Sequence, residues 1–182
     1  MGVLNLFGLL GGASTERRGY ELYTAAVRSA RAPFFYAELK VPDTLDGRFD
    51  MVGLHAYLLI RRLSAEPAGQ KVSQALFDAM FNDMDVNLRE MGVGDLSVGK
   101  KVKVMWEAFH GRANAYAEAL KSGPAALAAA LERNLWPGES HGREAARLAA
   151  VVMAQDLHLS RLSLAQIYAG DNLFLQPENA AA

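Results

Sequence analysis

Apolar residues recur along this chain at spacings of three and four, and that rhythm limits what it can fold into more than any other feature. Phe77, Phe81, Met84, Leu88 and Met91 fall on one stripe, as do Val98, Val102, Met105, Phe109, Ala113, Tyr116 and Leu120. Such spacing gathers side chains on one face of an α-helix. No run of alternating β-branched residues competes with it, and no internal repeat interrupts it. The expected fold is all-α: a single globular domain of about seven helices in a non-repetitive bundle.

Proline, glycine and capping residues set the expected boundaries. A first helix runs from Ser14 or Thr15 to about Arg31 and stops at Ala32-Pro33, because the residue before proline avoids the α region. Phe34 to Thr44 reads as extended or looped, with Pro42-Asp43 as turn chemistry. Asp46 is positioned to cap a second helix reaching Leu63, which is apolar nearly all round and therefore the buried central helix. A third spans Gln70 to Met91, before Gly92 and Gly94. Ser97 is positioned to cap a fourth, and Gly123-Pro124 opens a fifth that ends near Leu135. A sixth runs from Gly142 to about Leu159, and Ser163 caps a brief seventh before Gly170. The chain thus divides into an apolar tip (1–13), one domain (14–176) and a disordered tail (177–182).

Composition excludes several function classes. With 19 Lys+Arg against 20 Asp+Glu, the chain lacks the strong basic field of non-specific nucleic-acid binders. It contains no cysteine, so disulfides, zinc ribbons, iron–sulfur clusters and thiol nucleophiles are all excluded, which is compatible with a cytoplasmic location. The N-terminus shows neither a secretory signal nor a mitochondrial presequence pattern. Its apolar residues Val3, Leu4, Leu6, Phe7, Leu9 and Leu10 either dock on the domain's own core or touch a bilayer or an apolar partner.

Catalytic and metal motifs are absent. Asp78, Asn82, Asp85 and Arg89 share a helical face, but no second aspartate cluster accompanies them, so a solvated or partner-facing polar face is the better reading than a magnesium site. The four histidines have no metal-ligand spacing. His55 lies seven residues from both Arg48 and Arg62; this strip is either satisfied by acids elsewhere or contacts an anion such as a haem propionate. Lys100, Lys101 and Lys103 form a small basic cluster without the interleaved aromatics that nucleic-acid recognition favours. No phosphate-binding loop, dinucleotide fingerprint or nucleophile elbow occurs. The expectation is a non-enzyme with no cofactor and no bound metal.

An ordered series of strings does carry a resemblance. Leu22-Tyr23, Val27, Ala30-Arg31, Pro33 and Phe35-Tyr36 are followed by Val41-Pro42-Asp43-Thr44 and Asp46-Gly47-Arg48-Phe49. Next come Leu54-His55, Arg62-Leu63, Ser73-Gln74-Ala75-Leu76-Phe77-Asp78 and Asp83-Met84-Asp85. Leu88-Arg89-Glu90, Gly92-Val93-Gly94-Asp95, Phe109, Gly111-Arg112 and Ala115-Tyr116 complete it. Together these resemble the ubiquinol–cytochrome c chaperone family, assembly factors of the respiratory cytochrome b complex, over about Tyr20 to Leu120.

The resemblance implies a non-enzymatic chaperone of bacterial type. Its implied client is cytochrome b or an early assembly intermediate, with a second assembly factor or a homodimer as further partner. Peripheral contact with the inner membrane is compatible with such a role, and no specific nucleic acid is implied. Partner contacts are expected from the loop aromatics Phe34, Phe35 and Tyr36 and from Pro42. The polar set Asp43, Asp46, Arg48, Asp83, Asp85, Arg89, Glu90, Asp95 and Arg112 matches the same strings. Met80, Met84 and Met91 would lend a deformable surface. The rival readings are a helical lipid- or quinone-binding module and a metal-dependent enzyme built on Asp78 and Asp85.

Overall fold

The computed structural model describes the backbone of residues 4–180 and the side chains of residues 12–180. Among the described residues the secondary structure is entirely helical: α1 (Leu4–Ala30), α2 (Pro33–Ala37), α3 (Leu45–Ser64), α4 (Gln70–Glu90), α5 (Asp95–Ser122), α6 (Pro124–Leu135), α7 (Gly142–Arg161), α8 (Leu164–Ala169) and α9 (Pro177–Ala180). A single 3-10 turn, Pro67–Gly69, joins α3 to α4. The expected breakers account for most of these ends. Pro124 sits in the first turn of α6, and Ser163 forms a full capping box with Gln166 at the start of α8.

Helix α3 is the centre of the molecule, as its apolar circumference implied. Met51, Leu54, Leu58, Leu59 and Leu63 are buried, and the helix packs against α1, α4 and α7, with lesser contacts to α5 and α6. The largest helix–helix contact is between α1 and α4. Gly19 makes it that close: a methyl group there would lie 2.5 Å from the Ala75 carbonyl carbon. α6 and α7 form a second packed pair on the far side of α3.

Four expected boundaries change. Helix α1 already begins at Leu4, so the backbone of the tip is continuous with the first helix. The tip's side chains, Val3 and Leu4 to Leu10, lie outside the described residues. Thr44, not Asp46, caps α3: its hydroxyl accepts from the Gly47 amide at 3.2 Å, and Asp46 falls in the first turn, where a carboxylate favours the helix dipole. α5 starts at Asp95 with Gly94 as its cap, two residues ahead of Ser97. At the far end, Pro177–Ala180 form a short helix with Pro177 buried, where a frayed tail was expected. Residues 181 and 182 lie outside the described part.

The segment after Pro33 differs most. Read as a loop presenting aromatics to solvent, it is instead the helical turn α2 with Phe34 and Phe35 buried. Proline expels its predecessor from the α region but is itself preorganised for a first helical turn, so Pro33 both ends α1 and starts α2. Phe35, 1% exposed, packs edge-on against His55 with ring centroids 5.4 Å apart. The Arg147 guanidinium covers Phe34 at 5.2 Å. The half-buried Tyr36 turns its hydroxyl inward to donate to the Ala30 carbonyl at 2.9 Å.

Candidate partner-binding groove

Between α1, α3, α4 and α5 lies an open groove of about 520 Å³, within the size range of ligand sites. Each wall follows from helical spacing. α1 contributes Tyr23, Val27 and Arg31, four apart, and the first turns of α3 contribute Leu45, Asp46, Arg48, Phe49 and Val52. The last turns of α4 supply Asp83, Met84, Asn87, Leu88 and Met91, and α5 closes the far side with Lys100, Lys101, Val104 and Met105. Five aliphatic and three methionine side chains join two aromatics in the lining, beside seven polar or charged residues, and Leu45, Met91 and Val104 stand more than half exposed at its edges. Methionine side chains repack around differently shaped apolar partners more readily than branched ones.

The polar residues of the groove are held in place. The Tyr23 hydroxyl donates to Asp83 Oδ2 at 2.6 Å across the α1–α4 contact. Burial and that hydrogen bond push the phenol far above its ordinary range, so it stays a donor at any physiological pH. Arg48 Nε donates to Asp43 Oδ1 at 2.5 Å, and the guanidinium beside it holds the Asp43 carboxyl below the usual range. At the lower edge Arg89 Nε donates to Asp85 Oδ2 at 2.5 Å while Nη1 donates to Asp95. Among the described residues Lys100, Lys101 and Arg31 have no ion-pair partner, leaving three cations at the rim.

The residues singled out in the sequence therefore divide. Asp46, Arg48 and Asp83 line the groove together with Met84 and Met91, while Asp43, Asp85, Arg89 and Asp95 form ion pairs around it. Glu90 is exposed at the end of α4, outside the lining. Pro42 lies outside the lining, and its carbonyl oxygen sits 2.0 Å from where a Cβ on Gly47 would be, a close approach that requires glycine at 47. Met80 is fully buried.

Arg112 faces elsewhere. Its Nη1 lies 2.5 Å from Asp50 Oδ1, a contact without the alignment of a hydrogen bond. The buried Asp50 carboxyl is pushed up to about 7 by desolvation, which Arg112 only partly offsets. The strip of Arg48, His55 and Arg62 is not a joint site. His55 is bonded through Nδ1 to the Met51 carbonyl at 2.8 Å, and Arg62 reaches Glu66 and the carbonyls of Leu159 and Leu162.

Sequence reasoning did not assign Leu45, Val52, Asn87 and Val104 to a partner surface. An exposed aliphatic beside the Lys100–Lys101 pair was a usable signal for Val104. The others needed the neighbouring helices. A second cleft of about 1220 Å³ runs along α1 and α4 past Tyr20, Asp78 and Val86. Its lining carries Glu16, Asp78 and Asp83 and, on the apolar side, Tyr20, Ala75, Ala79 and Val86, but no methionine. Among the described residues no group of three or more His, Asp or Glu side chains is placed to hold a metal ion, and no helix is long and apolar enough to cross a membrane.

Three comparisons bear on the groove. A family model described as ubiquinol-cytochrome C chaperone matches residues 37–174, which include three of its four walls. The mitochondrial protein CBP3 of Saccharomyces cerevisiae is 31% identical over 82% of this chain and 46% of its own length. Ubiquinol-cytochrome-c reductase complex assembly factor 1 of Xenopus laevis is 29% identical over 63% of this chain and 58% of its own. The chain thus spans about half the length of these curated relatives. The crystal structure of the Cbp3 homolog from Brucella abortus matches with a TM-score of 0.83 and 36% identity, covering 96% of this chain and 97% of that one.

Proposed function

Because this chain belongs to the ubiquinol–cytochrome c chaperone family, we propose that it is an assembly factor of ubiquinol–cytochrome c reductase that holds cytochrome b, or an early intermediate containing it, in the α1–α3–α4–α5 groove. The observation that carries this reading is the convergence of four separated family strings on one methionine-bearing apolar groove. An apolar floor with a charged rim suits a hydrophobic helix that has to be shielded from water and later released. The work asked of the groove is binding alone, so the proposed role is non-catalytic and needs no cofactor. A client that enters the membrane places that work at the inner membrane surface, in the cytoplasm of a bacterial cell.

The test is a reduced-minus-oxidised spectrum of membranes from cells lacking the gene, complemented with wild type or with Leu45→Glu/Val104→Glu. Both residues are exposed, so the double variant is expected to fold. Loss of the reductase b- and c-type haem signals, restored by wild type and not by the variant, is the expected outcome. A normal spectrum without the gene overturns the proposal. A stoichiometric isoprenoid in native mass spectra, with that normal spectrum, would favour a lipid- or quinone-binding module.

A further inference from the structure

A third cleft, of about 710 Å³, lies against another face of α5. Trp106, His110, Ala113 and Ala117 follow one another there at spacings of four, three and four, on a stripe apart from Lys100, Lys101, Val104 and Met105 of the groove. α4 walls the cleft with Gln70, Gln74 and Phe77, and α3 lies beneath with Tyr57 and Ile60. From Trp106 to Ala117 it follows α5 for about 16 Å at the helical rise.

Two features set this face apart. Its lining is nearly free of charge: Arg61 is the one Asp, Glu, Lys or Arg among fourteen residues, and its Nε already donates to Asp156 at 2.9 Å. The groove on the other face carries six such residues among seventeen. The second feature is Trp106, which is 45% exposed and yet held in place. Its ring lies 4.1 Å from His110, and His110 in turn lies 5.6 Å from Phe77 and 5.8 Å from the buried Phe109. An exposed indole pinned by such a run of rings loses little freedom on association, and tryptophan is prominent among interface anchors. Around the cleft, α5 carries exposed pairs of both signs, Lys103 with Glu107 and Lys121 with Glu118.

We propose that this face joins two copies of the chain about a two-fold axis, with Trp106 of each copy seated in the cleft of the other. A two-fold contact brings the same patch of both copies together, so a charge at its centre meets its own kind. A lining whose single charge is already compensated escapes that penalty. Anchor and receiving cleft lie side by side on one face, which is the self-complementarity an isologous contact requires. A stable pair needs about 800 Å² from each copy, so the contact extends from the uncharged centre onto the paired charges around it. The groove shares no lining residue with the cleft, so pairing leaves one groove per copy for a client.

Sedimentation velocity of the purified chain from about 1 to 100 µM is expected to show a reversible monomer–dimer equilibrium. Trp106→Glu and Asn114→Arg, both at exposed positions in the cleft, should each weaken it about ten-fold or more. Leu96→Glu is the control, because Leu96 is 92% exposed on the same helix and belongs to neither lining; it should leave the equilibrium unchanged. Circular dichroism establishes that each variant is folded. A monomer throughout the range overturns the proposal. So does a dimer that both cleft variants leave intact, or one that Leu96→Glu breaks equally. A monomer carrying a stoichiometric neutral molecule in native mass spectra overturns it in favour of a ligand site. No client takes part in these measurements, so the pairing and the assembly role fail separately.

Discussion

A neutral histidine in the middle of an aromatic cluster makes this fold sensitive to acid. His55 is 3% exposed, lies between Phe35 and Phe174, and burial pushes it down to about 4. In the unfolded chain the same imidazole takes up a proton near pH 6.5. The unfolded state therefore binds more protons between those values, and stability falls as pH drops from about 6.5 to 4, by about 3 kcal/mol from this residue. Urea unfolding of wild type and His55→Phe across pH 4–8 should show the two stability curves converging or crossing only below about pH 6.5. Asp50 acts with the opposite sign. Its raised folded value means the protonated acid suits the fold, so its contribution weakens as pH rises from about 4 to 7. Arg112→Ala leaves that carboxylate buried without its guanidinium. The expected loss is about 3 kcal/mol at pH 8, shrinking below pH 6, as read from urea midpoints at the two pH values.

Among the elements, the α1–α4 pair is the one whose spacing a single atom controls. Gly19 is buried in that contact, and a methyl group would meet the Ala75 carbonyl carbon at 2.5 Å and the Leu76 nitrogen at 2.7 Å. Both are backbone atoms, which cannot turn aside as a side chain can. Gly19→Ala is expected to separate the helices and cost about 2 kcal/mol, the scale of overpacking in a tight core. Its urea midpoint should fall, and the Tyr23–Asp83 hydrogen bond across the same contact should weaken with it. A midpoint equal to wild type would show that the crossing is more yielding than its geometry implies. α2 teaches the complementary lesson. Two adjacent aromatics after a proline read as an exposed loop, yet the residues behind them, His55 and Arg147, give both rings a place to pack.

For the molecule as a whole, the all-α class and the central place of α3 were legible because both rest on short-range patterns. The stripe from Phe77 to Met91 announces a helix whatever surrounds it, and Gly92, Pro67 and Pro124 end or begin helices by their own backbone chemistry. The candidate site was half legible. Asp46, Arg48, Asp83, Met84 and Met91 were singled out and do line one groove. Arg112, from the same strings, went to a buried partner instead, and Phe34 and Phe35 went to the core. Their neighbours Leu45 and Val52 carried too little local signal to be joined to them.

The sequence by itself determined seven of the nine helices among the described residues, their order and the residues that break them, because those depend on contacts within a turn or two. Only the tertiary structure decided which faces meet. Tyr23 finds Asp83 sixty residues away, Arg61 finds Asp156 ninety-five away, and Arg147 finds Glu38 one hundred and nine away. Such partners are chosen by how rigid helices cross and which surplus apolar surface they cover. That choice belongs to all the helices at once, so no window along the chain contains it.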